Sequence, residues 1–328
     1  MRTFIKWLLI ALAVAVISLA IWGYAPDRDP EELRAEYGQQ PSQYVKLPSG
    51  QNIHLRDEGP KNAPAILLLH GSSSSLHTWQ EWTENLSRDY RIIRYDQPGH
   101  GLTGPHVSKD YTAKGYSDTA AAVMQYLDID TYVIAGNSMG GWVAWNHTLA
   151  YPDNVRGLIL VDASGAPDAQ PKKLPIGFRL ANSRAMRPLM KVFTPRSIIK
   201  ASLETSVGDP SRITNAQIDR YWNLIKYPGN REAIGDRSDV ARIAAKPEQM
   251  ADIKVPALVM WGAKDTLIPV PAAKWFDTHI QDSTAIIYDD LGHIPMEEDG
   301  ARTAVDVGKW LSDNGLAVTA GNNMQSAN

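Results

Sequence analysis

Thr131-Tyr-Val-Ile-Ala-Gly-Asn-Ser-Met-Gly-Gly-Trp142 is the stretch on which the reading of this chain turns. Residues 131–135 suit a buried strand, and residues 139–151 read as a helix that stops against Pro152. Between them, Gly136-Asn-Ser-Met-Gly140 fits G-x-S-x-G. A serine on so sharp a strand-to-helix turn sits in a strained backbone conformation. Glycines two before and two after it remove side chains that would collide with strand and helix. The turn lifts the Ser138 hydroxyl clear of the sheet edge, and the positive end of the following helix favours an anion there. A bare pentapeptide is a weak match; the strand before it and the helix after it give it weight.

The same rhythm extends in both directions. Residues 65–69 form an apolar run ending at His70-Gly71, residues 91–95 end at Asp96, and residues 157–161 end at Asp162. Residues 257–261 end at Gly262, and residues 284–288 close the series. Helical patterns fill residues 76–86, 113–127, 271–279 and 300–311. Strand and helix in alternation predict an α/β fold, a mostly parallel central sheet flanked by helices, with ligands at the C-terminal strand ends. From about 165 to 250 the rhythm fails. No buried strand is legible there, and prolines recur at 167, 171, 175, 188, 195, 210, 228 and 247. This predicts a helical cap inserted after the strand at 157–161.

The ends differ in kind from the middle. Arg2 and Lys6 precede an uncharged run from Trp7 to Tyr24, 18 residues. That is about the lower limit for crossing a hydrocarbon core of roughly 30 Å. Residues 1–25 are therefore expected to be an uncleaved N-terminal transmembrane anchor, with a signal sequence cleaved for secretion as the competitor. Acidic residues after the span place the rest of the chain on the non-cytoplasmic face, the periplasm if the source is bacterial. Residues 26–43 read as a polar linker, and residues 314–328 as a small, polar, disordered tail.

The 328 residues carry a net charge of −3 and no cysteine. Nucleic acid is not expected as a partner, and disulfides, thiolate nucleophiles and cysteine-bound zinc are excluded. Charge is unevenly spread. Lys172, Lys173, Arg179, Arg184, Arg187, Lys191, Arg196 and Lys200 stand against Asp168 alone, giving +7 over residues 166–202 and −10 elsewhere. A solvated helix face is one reading; a cap facing anionic lipid headgroups is the other. Gly99-His-Gly-Leu-Thr-Gly104 satisfies G-x-G-x-x-G, but Pro105 follows where a dinucleotide fingerprint must open into a helix. No metal-ligand spacing and no cofactor motif is present.

Taken together, these motifs resemble the α/β-hydrolase superfamily over about residues 44–313, in a serine esterase/lipase-like branch with a helical cap. His70-Gly71 is similar to the start of the family's oxyanion loop, Asp96-Gln-Pro-Gly-His-Gly101 to its D-x-x-G-x-G turn, and 136–140 to its nucleophile elbow. Gly262-Ala-Lys-Asp265 and Gly292-His293 resemble the acid and base loops, in the family order Ser, Asp, His. The resemblance implies Ser138 as nucleophile, His293 as base and Asp265 as the acid that orients it. It places the oxyanion donors on the backbone N–H of Met139 and of Ser72, with Ser73 open as the alternative because residues 72–75 are all serine. Asp162 is a rival acid, since some members carry theirs at the end of that strand. His70 and His100 are expected to be structural. His54, His77, His106, His147 and His279 have no motif context and read as surface or packing residues.

The implied activity is cleavage of a small-molecule carboxylic ester or related acyl substrate, lipidic substrates included, without a cofactor. Gly-Asn-Ser-Met-Gly-Gly141 also resembles the elbow of hydrolases that cut carbon–carbon bonds in ring-fission products. A catalytically silent binding module on the same fold is the non-enzymatic alternative.

Overall fold

The computed structural model describes residues 2–167 and 176–317. Its centre is an eight-stranded sheet: β1 (Gln43–Lys46), β2 (Asn52–Glu58), β3 (Ala65–Leu69), β4 (Arg91–Tyr95), β5 (Tyr132–Asn137), β6 (Val155–Val161), β7 (Ala257–Gly262) and β8 (Ser283–Tyr288). Their order is β1-β2-β4-β3-β5-β6-β7-β8. The pairs β1–β2 and β2–β4 are antiparallel, and every pair from β4 to β8 is parallel.

Alternation along the inner strands supplies two cores. Leu67, Leu69, Ile134, Leu160 and Val259 face one cluster, which also takes Val123, Val143 and Ala144 from helices Ala113–Tyr126 and Met139–Ala150. Ile66, Leu68, Val133, Ile159 and Leu258 face the other, closed by Trp82 of helix Gln80–Leu86 and by Val307 and Leu311 of helix Gly300–Asp313. Burial on both faces explains why these strands read as unbroken apolar runs. The last strand, β8, departs from that expectation; as an edge strand it leaves Thr284, Ala285 and Ile287 exposed.

The insertion after β6 is helical: Ile176–Asn182, Arg187–Met190, Arg196–Ser206, Asn215–Ile225, Asn230–Asp239 and Pro247–Ala251. Five of its basic side chains pair with carboxylates of the cap. Arg184 and Arg187 pair with Asp239, Lys191 with Glu232, Arg196 with Asp219 and Lys200 with Glu204. Lys172, Lys173 and Asp168 lie outside the described residues.

Three expectations about the ends need correction or restatement. Residues 26–43 are not a free linker. Asp29 caps helix Pro30–Tyr37, whose Leu33 is buried against Leu102 and Leu224, so charged surroundings concealed one apolar anchor. At the tail, Asn314 caps helix Gly300–Asp313, and Leu316 and Ala317 pack on the second core; residues 318–328 of the expected disordered segment lie outside the described residues. At the start, Arg2–Gly23 is a helix of 22 residues. Among the described residues no helix is long and apolar enough to cross a membrane. The side chains at 15–17 and 19–21 of that helix are not among those described. A spanning anchor is thus not carried by the structure.

Candidate active site

Ser138 ends β5 and opens the next helix at φ 53° and ψ −114°, the strained corner the motif predicts. Its backbone is fixed from both sides, the N–H donating to Val161 O at 3.1 Å and the carbonyl accepting from Ser164 N at 3.0 Å. The glycines are sterically required. A Cβ on Gly136 would lie 2.1 Å from Gly140 O, and one on Gly140 would lie 2.1 Å from Leu69 O.

Asp265 follows β7 and His293 follows β8, and both are nearly buried. Asp265 Oδ2 lies 2.7 Å from His293 Nδ1, while Oδ1 accepts from Leu267 N at 2.7 Å and Ile268 N at 3.0 Å. A carboxylate can only accept, so the imidazole carries its proton on Nδ1 and leaves Nε2 as the basic nitrogen. His293 is held as a loop as well as a ring. Its N–H donates to Ser206 O at 2.7 Å, and its carbonyl accepts from Asn137 Nδ2 at 2.9 Å. No hydrogen bond joins Ser138 to His293 here, but both side chains line one cavity of ≈ 120 Å³. Such contacts commonly shorten only when substrate arrives.

The same cavity is lined by Ser72 and Ser73 of the loop after β3. Ser73 is left-handed at φ 61°. Among the described residues, the N–H groups of Ser72, Ser73 and Met139 donate to no protein acceptor. Met139 owes this to its place in the first turn of its helix. Both serines therefore stay open as the second donor beside Met139. Asp162, at the end of β6, also reaches this corner. One ligand atom each from Asp162, Asp265 and His293 lie within 4.8 Å of one another.

The family turns behave as scaffolding. His70 Nε2 accepts from Gln97 N at 3.0 Å, its Nδ1 lies 2.8 Å from Gly71 O, and burial lowers its basicity. Asp96 accepts from Leu76 N and Leu102 N, both at 2.7 Å, pinning two loops to β4. A second Ser–His–Asp arrangement exists here. His54 bridges Asp96 Oδ2 at 2.7 Å and Ser42 Oγ at 2.8 Å. It is a structural pin. Ser42 is buried, its oxygen also takes Arg56 Nε at 3.0 Å, and it does not line the cavity at Ser138.

Four contributors escaped the sequence reading. Asn137 donates to Val161 O and His293 O, tying β6 to the histidine loop; its place inside the elbow motif was the available signal. Glu298 holds Gly292 N and Gly208 N, each at 2.7 Å, joining that loop to the cap. Tyr221 of the cap receives Ser74 Oγ at 3.0 Å and donates to Glu297 Oε1 at 2.7 Å. Glu297 also takes Arg220 and Gln217, so cap, serine loop and histidine helix share one buried cluster. No spacing in the sequence announces these contacts.

The cap side of the cavity is apolar, with Met190, Ile198, Leu203, Ile225 and Ile234. Two arginines also line it, and each already has a carboxylate: Arg187 with Asp239 at 2.7 Å and Arg231 with Asp27 at 2.5 Å.

Residues 64–300 match the family described as the alpha/beta hydrolase fold. A 2-hydroxy-6-oxononadienedioate/2-hydroxy-6-oxononatrienedioate hydrolase of Cupriavidus pinatubonensis is 27% identical over 268 residues, 77% of this chain and 89% of that protein. An esterase from Rhodococcus sp. ECU1013 superposes with a TM-score of 0.70 at 23% identity, over 83% of this chain and 99% of that one. A membrane phospholipase A described as a bacterial virulence factor superposes at 0.72 with 20% identity, over 95% of this chain and 99% of that one.

Proposed function

This chain belongs to the α/β-hydrolase fold family and is a hydrolase, and on that premise we propose that it cleaves a carboxylic ester or related acyl substrate through an acyl-enzyme on Ser138. Ser138 Oγ attacks the acyl carbon while His293 Nε2 takes its proton. Asp265 holds the ring and stabilises the imidazolium that forms. The N–H of Met139 and of Ser72 or Ser73 receive the oxyanion, each such donor contributing about 3 kcal/mol to the transition state. His293 then returns the proton to the departing alkoxide. Water, activated by the same imidazole, releases the acid and restores Ser138. The observation that carries this reading is the 2.7 Å His293–Asp265 contact beside a strained serine on a shared cavity.

Carbon–carbon cleavage of ring-fission products is the second reading, favoured by the Cupriavidus relative and by the Gly-Asn-Ser-Met-Gly-Gly141 elbow. That relative's substrate is a dioate, a dianion. Both arginines on the present cavity already pair with carboxylates, Arg231 with Asp27 and Arg187 with Asp239, which Arg184 shares, and most of the cap lining is apolar, which supports a neutral acyl group instead. A series of p-nitrophenyl esters of increasing chain length tests this. Turnover that rises with acyl length supports ester cleavage; negligible activity across the series with turnover of a dienoic keto acid supports the second reading.

The N-terminal helix is proposed to hold the chain at a membrane, with the catalytic domain on the non-cytoplasmic side. Phe4, Trp7, Leu8, Leu9 and Leu12 are exposed along it, a run of apolar side chains that water does not favour.

A further inference from the structure

Behind the Ser138–His293–Asp265 set lies a second acid with an unusual environment. Asp162 is fully buried and left-handed at φ 44°, a conformation that costs a non-glycine residue and is kept here by the backbone bond from its N–H to Met260 O at 3.0 Å. Its Oδ1 accepts Gly262 N at 3.0 Å. Its Oδ2 is buried and meets no donor at all. Asp265 is better supplied, with two backbone N–H groups on one oxygen and the imidazole on the other. Both groups stand within 4.8 Å of each other and of the imidazole.

Two buried carboxyl groups this close cannot both ionise, and the proton settles on the one with fewer donors. All but one of the groups around Asp162 favour its neutral form. Burial comes first and raises its pKa well above the ordinary carboxyl value. The Asp265 charge adds to this, Glu298 contributes from the helix after His293, and Gly262 N–H opposes. Tyr288 at the end of β8 is the remaining titratable group that feels it, and burial keeps that phenol neutral.

We propose that Asp162 is a neutral carboxylic acid that donates its Oδ2 proton toward Asp265, and so acts as a positioning residue that can replace Asp265 beside His293. The donated hydrogen bond holds Asp265 aimed at Nδ1. No bond breaks in this role, and the proton stays on Asp162 through the cycle. If Asp265 loses its charge, the repulsion it exerts on Asp162 is gone while burial and Glu298 still oppose ionisation, and Asp162, within 4.8 Å of the imidazole, becomes the acid left to face it. The inference rests on the triad reading above, but its first test does not depend on turnover.

Infrared difference spectroscopy of full-length wild type against Asp162→Asn at pH 7 should show the carbonyl band of one protonated carboxyl group lost in the variant. No such band means Asp162 is ionised and overturns the proposal, whatever the activity. The pH dependence of kcat/KM gives the second readout. Asparagine keeps a donor in place without removing a charge, so the acid limb should stay where it is. Removing an ionised neighbour would instead move it acidward by about 1–3 pH units. The third readout is the Asp265→Asn enzyme, checked for folding by circular dichroism. It should keep residual activity that falls a further ~10-fold or more when Asp162→Asn is added, a coupling expected of groups that act as a unit. Equal rates for the single and double variants would remove the replacement role. Wild-type turnover and Ser138 labelling report separately on the triad itself.

Discussion

At the scale of single residues, chemistry is concentrated where backbone strain is. Ser138 carries the hydroxyl at φ 53°, and replacing it with alanine should lower kcat by about 10⁴-fold or more while leaving the fold intact, read by ester turnover and circular dichroism. Asn137 makes a subtler case. Its amide spans Val161 O and His293 O in the buried interior. Asn137→Ala should cost about 1–3 kcal/mol in thermal or denaturant unfolding, because His293 O loses its donor and Val161 O keeps only the Ser138 N–H. It should also depress kcat more than it raises KM, since the histidine loop loses its tie to β6. Unchanged kcat would show that the loop is held elsewhere. The triad residues were legible because each ends an apolar strand at Gly or Asp. The neutral partner Asp162 was legible only as a rival, because its protonation depends on the absence of a donor at one oxygen.

At the scale of elements, the strands that read clearly are those that burial dictates. β3, β4, β5, β6 and β7 appear within two residues of their expected bounds. The strands β1 and β2 went unread, and the reason is visible in their side chains. Only Val45 of β1 is buried, and β2 carries His54, Arg56 and Asp57, whose costs are met by Asp96, Ser42 and Arg91. Partners so distant in sequence leave no periodic trace. The cap shows the same limit, since its attachment depends on Glu297. Burial alone would raise that carboxyl, yet Arg220, Thr78, Tyr221 and Gln217 hold it below the usual glutamate value. A folded value below the unfolded one means full stabilisation above the ordinary range near ~4.3, lost as pH falls through the depressed value. Glu297→Gln should therefore cost about 2–3 kcal/mol at neutral pH by leaving the part-buried Arg220 without its counter-charge, and should flatten the acid limb of the stability curve. An unaltered acid limb would place that dependence on other carboxyl groups.

At the scale of the whole molecule, the N-terminal segment and the cap form one unit. Ala25 N donates to Val192 O at 2.8 Å, Thr194 N to Gly23 O at 3.1 Å, and Arg28 N to Lys226 O at 3.0 Å. Arg231, on the cavity wall, holds Ala25 O and Asp27. A chain cut before Gly23 keeps this strap while losing the exposed apolar helix. It should leave the membrane fraction in a flotation assay and still hydrolyse a short soluble ester; continued flotation would contradict attachment through that helix. The central claim concerns convergence: β5 and β8 bring a hydroxyl and an imidazole to one cavity wall, and β7 sets a carboxylate against that imidazole. Fluorophosphonate treatment of the folded chain followed by peptide mass spectrometry tests it most directly. The account predicts one adduct, on Ser138, formed much more slowly in His293→Ala. An unmodified Ser138 in folded protein, or labelling equally fast without the imidazole, would contradict it.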